Sequence, residues 1–229
     1  MVQTLQFIYY FLLSSYVFLF FILVPLFGLP ASVIMGIRPA FRMFIKLFTR
    51  FGLALFTTRV VVKGRENLPP GRNVVLLCNH VSYTDPLIIN AALNGAFQFI
   101  VPARFRFGML ASFTFRPAGI VVKDSGTPFM GAKVVLDVQK KVRQGESFIL
   151  FPGEGVSERG NIPYIKEAFF TMLKELDAPI LPVRITGSVE KRRGLIGNVS
   201  VVIGKPISKE DILKFRTPYV DRVILALKP

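Results

Sequence analysis

Residues 74–86 read VVLLCNHVSYTDP. The apolar run Val74–Cys78 has the length and composition of a short buried strand, and Asn79–His80 end it. Asp85–Pro86 then open an apolar stretch suited to a helix. That places His80 at the C-terminal end of a strand, where α/β folds bind their ligands. It is the only histidine in the chain, so any imidazole chemistry has a single address. Asp85 follows five residues later, and a short loop returns its carboxylate to one ring nitrogen. Such a contact fixes the tautomer and stabilises the imidazolium formed on proton uptake. The other nitrogen is then placed to take a proton from a substrate hydroxyl. Plainer readings also fit: Asp before Pro is a good N-cap with Pro at N1, and His80 suits a satisfied loop position. For Asp85 both roles are compatible.

Working outward, short Val- and Ile-rich runs bounded by Gly, Pro or Asn predict strands at Arg59–Lys63, Val74–Cys78, Phe97–Val101, Ile120–Lys123, Ser147–Phe151, Ile180–Ile185 and Val199–Ile203. Helices are expected at Pro86–Leu93, Phe129–Arg143, Ile165–Leu176 and roughly Lys209–Ala226, the last interrupted by Pro218. Alternating strands and helices predict an α/β fold with a mixed, largely parallel sheet flanked by helices. No linker, repeat or low-complexity run divides it, so residues 58–229 read as one catalytic domain.

Residues 1–57 are different. No Asp, Glu, Lys or Arg precedes Arg38. Val2–Val24 as a helix is about 34 Å long, enough for a bilayer core of about 30 Å, and Pro25, Gly28 and Pro30 punctuate the run. A cleaved signal peptide usually has a basic start and a shorter apolar centre. Residues 39–56 then form a basic amphipathic helix. Arg38, Arg42, Lys46 and Arg50 fall on one side, and Phe41, Met43, Phe44, Ile45, Leu47, Phe48, Phe51 and Leu55 on the other. Cations four apart repel; an anionic lipid surface relieves that and accepts the phenylalanine face. The same pattern also suits a helix packed on the protein's own core with a solvated basic face. Arg38, Arg42, Lys46, Arg50, Arg59, Lys63 and Arg65 after the apolar block place the remainder on the cytoplasmic side of the inner membrane. A single span and a hairpin within one leaflet both fit.

The composition agrees. The chain is 52% hydrophobic with 23 Phe and a net charge of +15. That excludes a disordered chain and suits a polyanionic partner. The uncharged N-terminus favours a membrane surface, and no nucleic-acid-binding signature is present. One cysteine, Cys78, excludes a disulfide framework; it sits in an apolar strand and reads as core.

Two further features bear on chemistry. FPGEGVSERG, residues 151–160, follows a buried-strand candidate. Its glycines, Gly155 among them, allow close backbone approach to a ligand. Glu154 either meets a substrate, orders the loop, or belongs to a plain polar turn. Arg104, Arg106, Arg116, Lys123 and Arg159 lie near strand ends, where some would pair with a phosphate; singly, each reads equally as surface charge. No nucleophile elbow or Walker loop occurs, so direct attack by a bound hydroxyl is simpler than a covalent intermediate.

In this order the blocks NHVSYTDP, VPARFRFGML, AGIVVKD, FPGEGVSERG, ILPVRITG and VVIGKPI resemble the glycerolipid acyltransferase family, whose best-known members are lysophosphatidic acid acyltransferases. The resemblance spans roughly residues 59–207. It implies a membrane-seated enzyme in which His80 is general base on the free hydroxyl of a lysophospholipid and Asp85 orients it. Acyl-CoA or acyl-carrier protein is the donor substrate, with no metal or prosthetic group. Glu154, Gly155, Arg104, Lys123 and Arg159 are the implied substrate-binding residues, and phosphatidic acid is the implied product. Two departures bear on the acceptor. The family's second motif usually ends in Arg, here Lys123–Asp124. The third usually reads Glu-Gly-Thr-Arg, whereas here Gly153 is inserted and Val156–Ser157 replace Thr-Arg. Lys123 and Arg159 are the candidates to replace those arginines at the acceptor's phosphate, and another lysolipid head group stays open. A non-enzymatic anionic-lipid-binding module and a lipid hydrolase are the remaining alternatives.

Overall fold

The computed structural model describes residues 2–56, 58–70, 73–94, 97–102, 108–123, 132–152, 167–188, 198–214 and 217–227. Two N-terminal helices, α1 (Val2–Met35) and α2 (Ile37–Leu55), precede β1 (Arg59–Lys63), β2 (Val75–Cys78) and α3 (Asp85–Leu93). Then come β3 (Ile100–Pro102), α4 (Gly108–Phe115), β4 (Val121–Lys123), α5 (Ala132–Arg143), β5 (Phe148–Leu150) and α6 (Glu167–Glu175). β6 (Ile180–Thr186), β7 (Asn198–Ile203), α7 (Lys209–Leu213) and α8 (Thr217–Leu225) follow.

Five strands lie in the order β1-β7-β6-β2-β5, and β3 pairs with β4. Gln98 joins the two groups by a parallel bridge to Phe148, its N–H reaching Ser147 O at 2.7 Å and its carbonyl taking Ile149 N at 2.8 Å. Every pairing is parallel except β6 with β7. The sheet is thus mixed and largely parallel, as the alternating pattern predicts, and the ends of β2, β5, β3 and β4 share one edge. Period-two alternation divides the core. Val75 and Leu77 join Val138, Phe169 and Leu173 on the face covered by α5 and α6. Leu76 and Cys78 join Ile88 and Ile89 of α3 on the other.

Three elements differ from expectation. First, α1 runs unbroken through Pro25 and Pro30. A proline removes the N–H owed to the carbonyl four residues back. For Pro25 that carbonyl is Phe21 O, and the Thr114 hydroxyl of α4 donates to it at 3.4 Å. Second, the C-terminal helix is two helices. Ser208 caps α7 by accepting from Asp211 N at 3.1 Å, and Pro218 opens α8, where a missing N–H costs nothing. Third, α4 lies outside the expected helices: GMLASFTF has apolar residues all round and so no amphipathic period to detect.

α1 and α2 pack antiparallel. Phe27 stacks on Phe44 and Phe48, the Tyr16 hydroxyl donates to Phe48 O, and Tyr9 meets Phe56 edge-on. Gly36, at φ 81°, makes the turn between them, a left-handed conformation that favours glycine. At Gly52 a Cβ would stand 2.5 Å from the Tyr16 ring, so glycine permits the close approach there.

The arginines of α2 have partners inside the chain, which corrects the expectation of a solvated or lipid-facing basic face. Arg42 donates to Ala118 O at 2.9 Å and to Glu146 at 2.9 and 3.2 Å. Arg50 reaches Ala91 O and the Asn94 side chain. Lys46 is half-buried in a cleft beside Asn90 and Gln98. The apolar stripe Met43, Leu47, Phe51 and Leu55 is left exposed, as are parts of Arg38 and Arg50. The basic face therefore docks the helix on the α/β unit, and the hydrophobic stripe looks outward. On α1, Phe7, Phe11, Phe18, Ile22, Leu26 and Val33 are likewise exposed. Among the described residues α1 is the one helix long and apolar enough to cross a membrane, by length and composition.

Candidate active site

At the end of β2 a buried amide takes over from the strand ladder. Asn79 Nδ2 donates to Ile185 O at 2.9 Å, and its Oδ1 accepts from Ile185 N at 2.8 Å. This pair replaces the next ladder bonds between β2 and β6 and frees the backbone to turn. His80 then leaves the sheet edge with its side chain 16% exposed.

Asp85 closes the turn. Its Oδ2 accepts the Val81 and Ser82 N–H groups, both at 2.8 Å, and lies 3.1 Å from His80 Nδ1. A carboxylate only accepts, so Nδ1 carries the hydrogen. Among the described residues, no hydrogen bond is made by His80 Nε2. Asp85 is fully buried, which keeps the contact away from competing water.

The capping expectation for Asp85 is corrected in one respect. Thr84 is the residue before α3, Asp85 is its first residue and Pro86 its second. The carboxylate folds back over the preceding loop rather than forward onto the helix amides. Its second oxygen, Oδ1, is buried with no partner among the described residues.

Aromatic rings hold the imidazole. Phe151 stacks on His80 with centroids 4.1 Å apart and planes 27° apart. Tyr83, 59% exposed, stands perpendicular to it at 6.2 Å. Sequence reasoning gives neither ring a role. For Phe151 a signal exists: it opens the FPGEG motif at the end of the strand beside β2. Cys78 is buried as expected. Burial, and then the charge of Asp85, push its thiol well above the usual range, so it does not act as a nucleophile at neutral pH.

Arg104, Glu154, Gly155 and Arg159 lie outside the described residues, as does Arg106. Lys123 ends β4, its backbone in register with Pro102, and its side chain is not described. Its strand end shares His80's edge three strands away, about 14 Å at the usual spacing.

An imidazole hydrogen-bonded through one nitrogen, with no partner for the other among the described residues, and raised at a strand end against Phe151, is equipped to deprotonate an alcohol. The model of the Acyltransferase family matches residues 59–186, more than half of the chain. The chain belongs to the acyltransferase family. That match contains β2, His80, Asp85 and Phe151, so the imidazole–carboxylate pair lies within the acyltransferase unit itself. A curated 1-acyl-sn-glycerol-3-phosphate acyltransferase of Borreliella burgdorferi is 26% identical over 139 residues, 59% of this chain. The alignment takes in 54% of that protein, so the chain spans about half the length of the curated relative it matches. The crystal structure of the 1-acyl-sn-glycerophosphate (LPA) acyltransferase PlsC from Thermotoga maritima has the same fold, with a TM-score of 0.72 at 24% identity. It covers 98% of this chain and 94% of its own, so the likeness takes in the N-terminal helices as well as the acyltransferase unit.

Proposed function

We propose that this acyltransferase-family protein is a membrane-bound O-acyltransferase that esterifies the free hydroxyl of lysophosphatidic acid, giving phosphatidic acid, with acyl-CoA or acyl-carrier protein as donor. The observation that carries the reading is the 3.1 Å contact between His80 Nδ1 and Asp85 Oδ2 at the sheet edge. Asp85 holds the Nδ1–H tautomer, leaving Nε2 as the base. Nε2 takes the hydroxyl proton while the oxygen attacks the thioester carbonyl carbon. The tetrahedral intermediate collapses, the C–S bond breaks, and the thiolate recovers the proton from the imidazolium. Asp85 stabilises that imidazolium throughout. These bond changes require no metal or prosthetic group. Glu154, Gly155, Arg104, Lys123 and Arg159 are the residues assigned to substrate, the cations to its phosphate groups.

The membrane seat is supported by the outward apolar surface of α1 and α2. A lipid acceptor stays in the bilayer, so an enzyme held at the interface meets it in two dimensions. The basic residues after α1 support a cytoplasmic orientation of the α/β unit. Lys123–Asp124 and Val156–Ser157, where the family's motifs usually carry Arg, favour a second reading of the acceptor alone: a lysolipid with a different head group.

Purified protein, lysophosphatidic acid and either donor should release free thiol in step with ester formation. His80→Ala should lose about 10²–10⁴-fold or more in kcat, the worth of a general base. Unchanged turnover in that variant removes His80 from the mechanism. No turnover with either donor across a panel of lysolipids, read by mass spectrometry of the products, overturns the reading.

A further inference from the structure

α4 has an apolar face that the fold leaves uncovered. Residues 107–115, FGMLASFTF, contain no charge, and Arg116 follows them directly. Ala111, Thr114 and Phe115 are buried, whereas Met109 is 85% and Phe113 57% exposed. Spaced four apart, those two stand one above the other on the helix surface. Exposed apolar residues grouped into a patch, rather than scattered singly, mark a contact surface.

The buried side of α4 is seated on α1. The Phe115 ring meets Phe20 and Phe21, and Thr114 supplies the donor that Pro25 withholds from Phe21 O. Next to those anchors, Phe18, Leu19 and Ile22 of α1 are 40–48% exposed. α1 also carries α2, with its own outward stripe. Exposed apolar residues thus occur on three helices that pack through α1: α4, α1 itself, and α2 with Met43, Leu47, Phe51 and Leu55.

We propose that α4 is a third membrane-contacting helix, its Met109 and Phe113 entering the acyl region of the same phospholipid leaflet that receives α1 and α2. This rests on the membrane reading of the N-terminal helices. The occupant is an anionic leaflet rather than a second copy of the chain. A net charge of +15 makes like copies repel, whereas anionic lipid attracts basic residues near its surface. The consequence is orientational. α1 and α2 lie side by side and are packed on the α/β unit, so that pair alone leaves the whole molecule free to roll about the helix axes in the leaflet. α4 follows the end of β3, on the edge that carries His80, and a contact there fixes that roll.

The chain contains no tryptophan, so single tryptophans report single positions. Phe113→Trp, Phe51→Trp and Leu213→Trp, the last exposed on α7, are each bound as full-length protein to phosphatidylcholine–phosphatidylglycerol vesicles with brominated chains. The proposal expects emission at 113 to be blue-shifted and quenched to the same extent as at 51, with 213 unaffected. Quenching at 51 but not at 113 overturns it and leaves the membrane reading standing. Absence of quenching at both positions defeats the membrane reading and the proposal together. Quenching at all three overturns it by showing contact without a preferred face. As a second measure, Met109→Asp with Phe113→Asp should weaken vesicle partition about tenfold or more while the unfolding midpoint in detergent is unchanged. Unaltered partition overturns the proposal.

Discussion

At the residue scale the site depends on Asn79 as much as on the pair it presents. Its amide satisfies both backbone groups of Ile185 while itself only 1% exposed. Asn79→Ala strands a buried N–H and a buried C=O, at about 1–3 kcal/mol for each unsatisfied group. The variant should therefore lose on the order of 2–5 kcal/mol of stability, seen as a lower denaturant midpoint with unchanged slope. An unmoved midpoint would show that the strand ends hold without the clamp. His80 and Asp85 are legible in the sequence because both belong to one short loop whose geometry is local. Asn79 and Phe151 stand in the same motifs, but what they touch, Ile185 and the imidazole, lies far along the chain. A long-range partner leaves no periodic trace in a sequence.

At the scale of elements, the docking of α2 turns on one carboxylate. Glu146, just before β5, takes Arg42 at 2.9 Å, Arg38 at 3.7 Å and the Gln98 amide at 3.2 Å. Lys141 lies close enough for its charge to be felt and donates to Gly119 O at 2.7 Å. Burial, and then the Arg38 charge, lower its pKa. Glu146→Gln keeps the shape but leaves these cations facing one another. Loss of its charged hydrogen bonds should cost about 1.5–3 kcal/mol, read as a drop in unfolding temperature at pH 7. The pH dependence has a definite sign. With the folded amine titrating below the usual 10.5, the unfolded chain binds more protons across that interval, so this group's contribution to stability rises with pH through it. The variant, lacking the attracting carboxylate, should recover more stability than the parent as pH climbs toward 10.5; an identical profile would mean that Lys141 does not sense Glu146. Periodicity identifies α2 and its two faces correctly, because a 3.6-residue repeat is written in the sequence. Which face turns inward is not written there, since Glu146 stands 104 residues from Arg42. The strands are legible from their β-branched runs, whereas α4, apolar on every side, offers no contrast between faces.

For the whole molecule, the N-terminal helices are part of the core. Phe20, Phe21 and Val24 of α1, with Phe41 and Ile45 of α2, share one cluster with Phe99, Val101, Phe115 and Ile120. An anchor that merely tethers a finished domain can be removed without consequence; one that completes a core cannot. Trimming the chain to residues 58–229 uncovers Phe99, Val101, Phe115 and Ile120, each at most 7% exposed in the full chain. At about 1.5–3 kcal/mol per large side chain, the loss is roughly 6–12 kcal/mol. That equals the whole margin of about 5–15 kcal/mol by which a domain is stable. The trimmed protein should therefore lack a cooperative thermal transition and elute as aggregate on size exclusion, in detergent as well as without it. Co-expression of residues 1–57 as a separate chain should restore a transition, because side-chain packing across this cluster does not require a continuous backbone. A trimmed chain that is monomeric and unfolds cooperatively would show that the cluster does not bind the two parts into one folding unit. The two helices and the α/β unit would then be joined by the backbone alone.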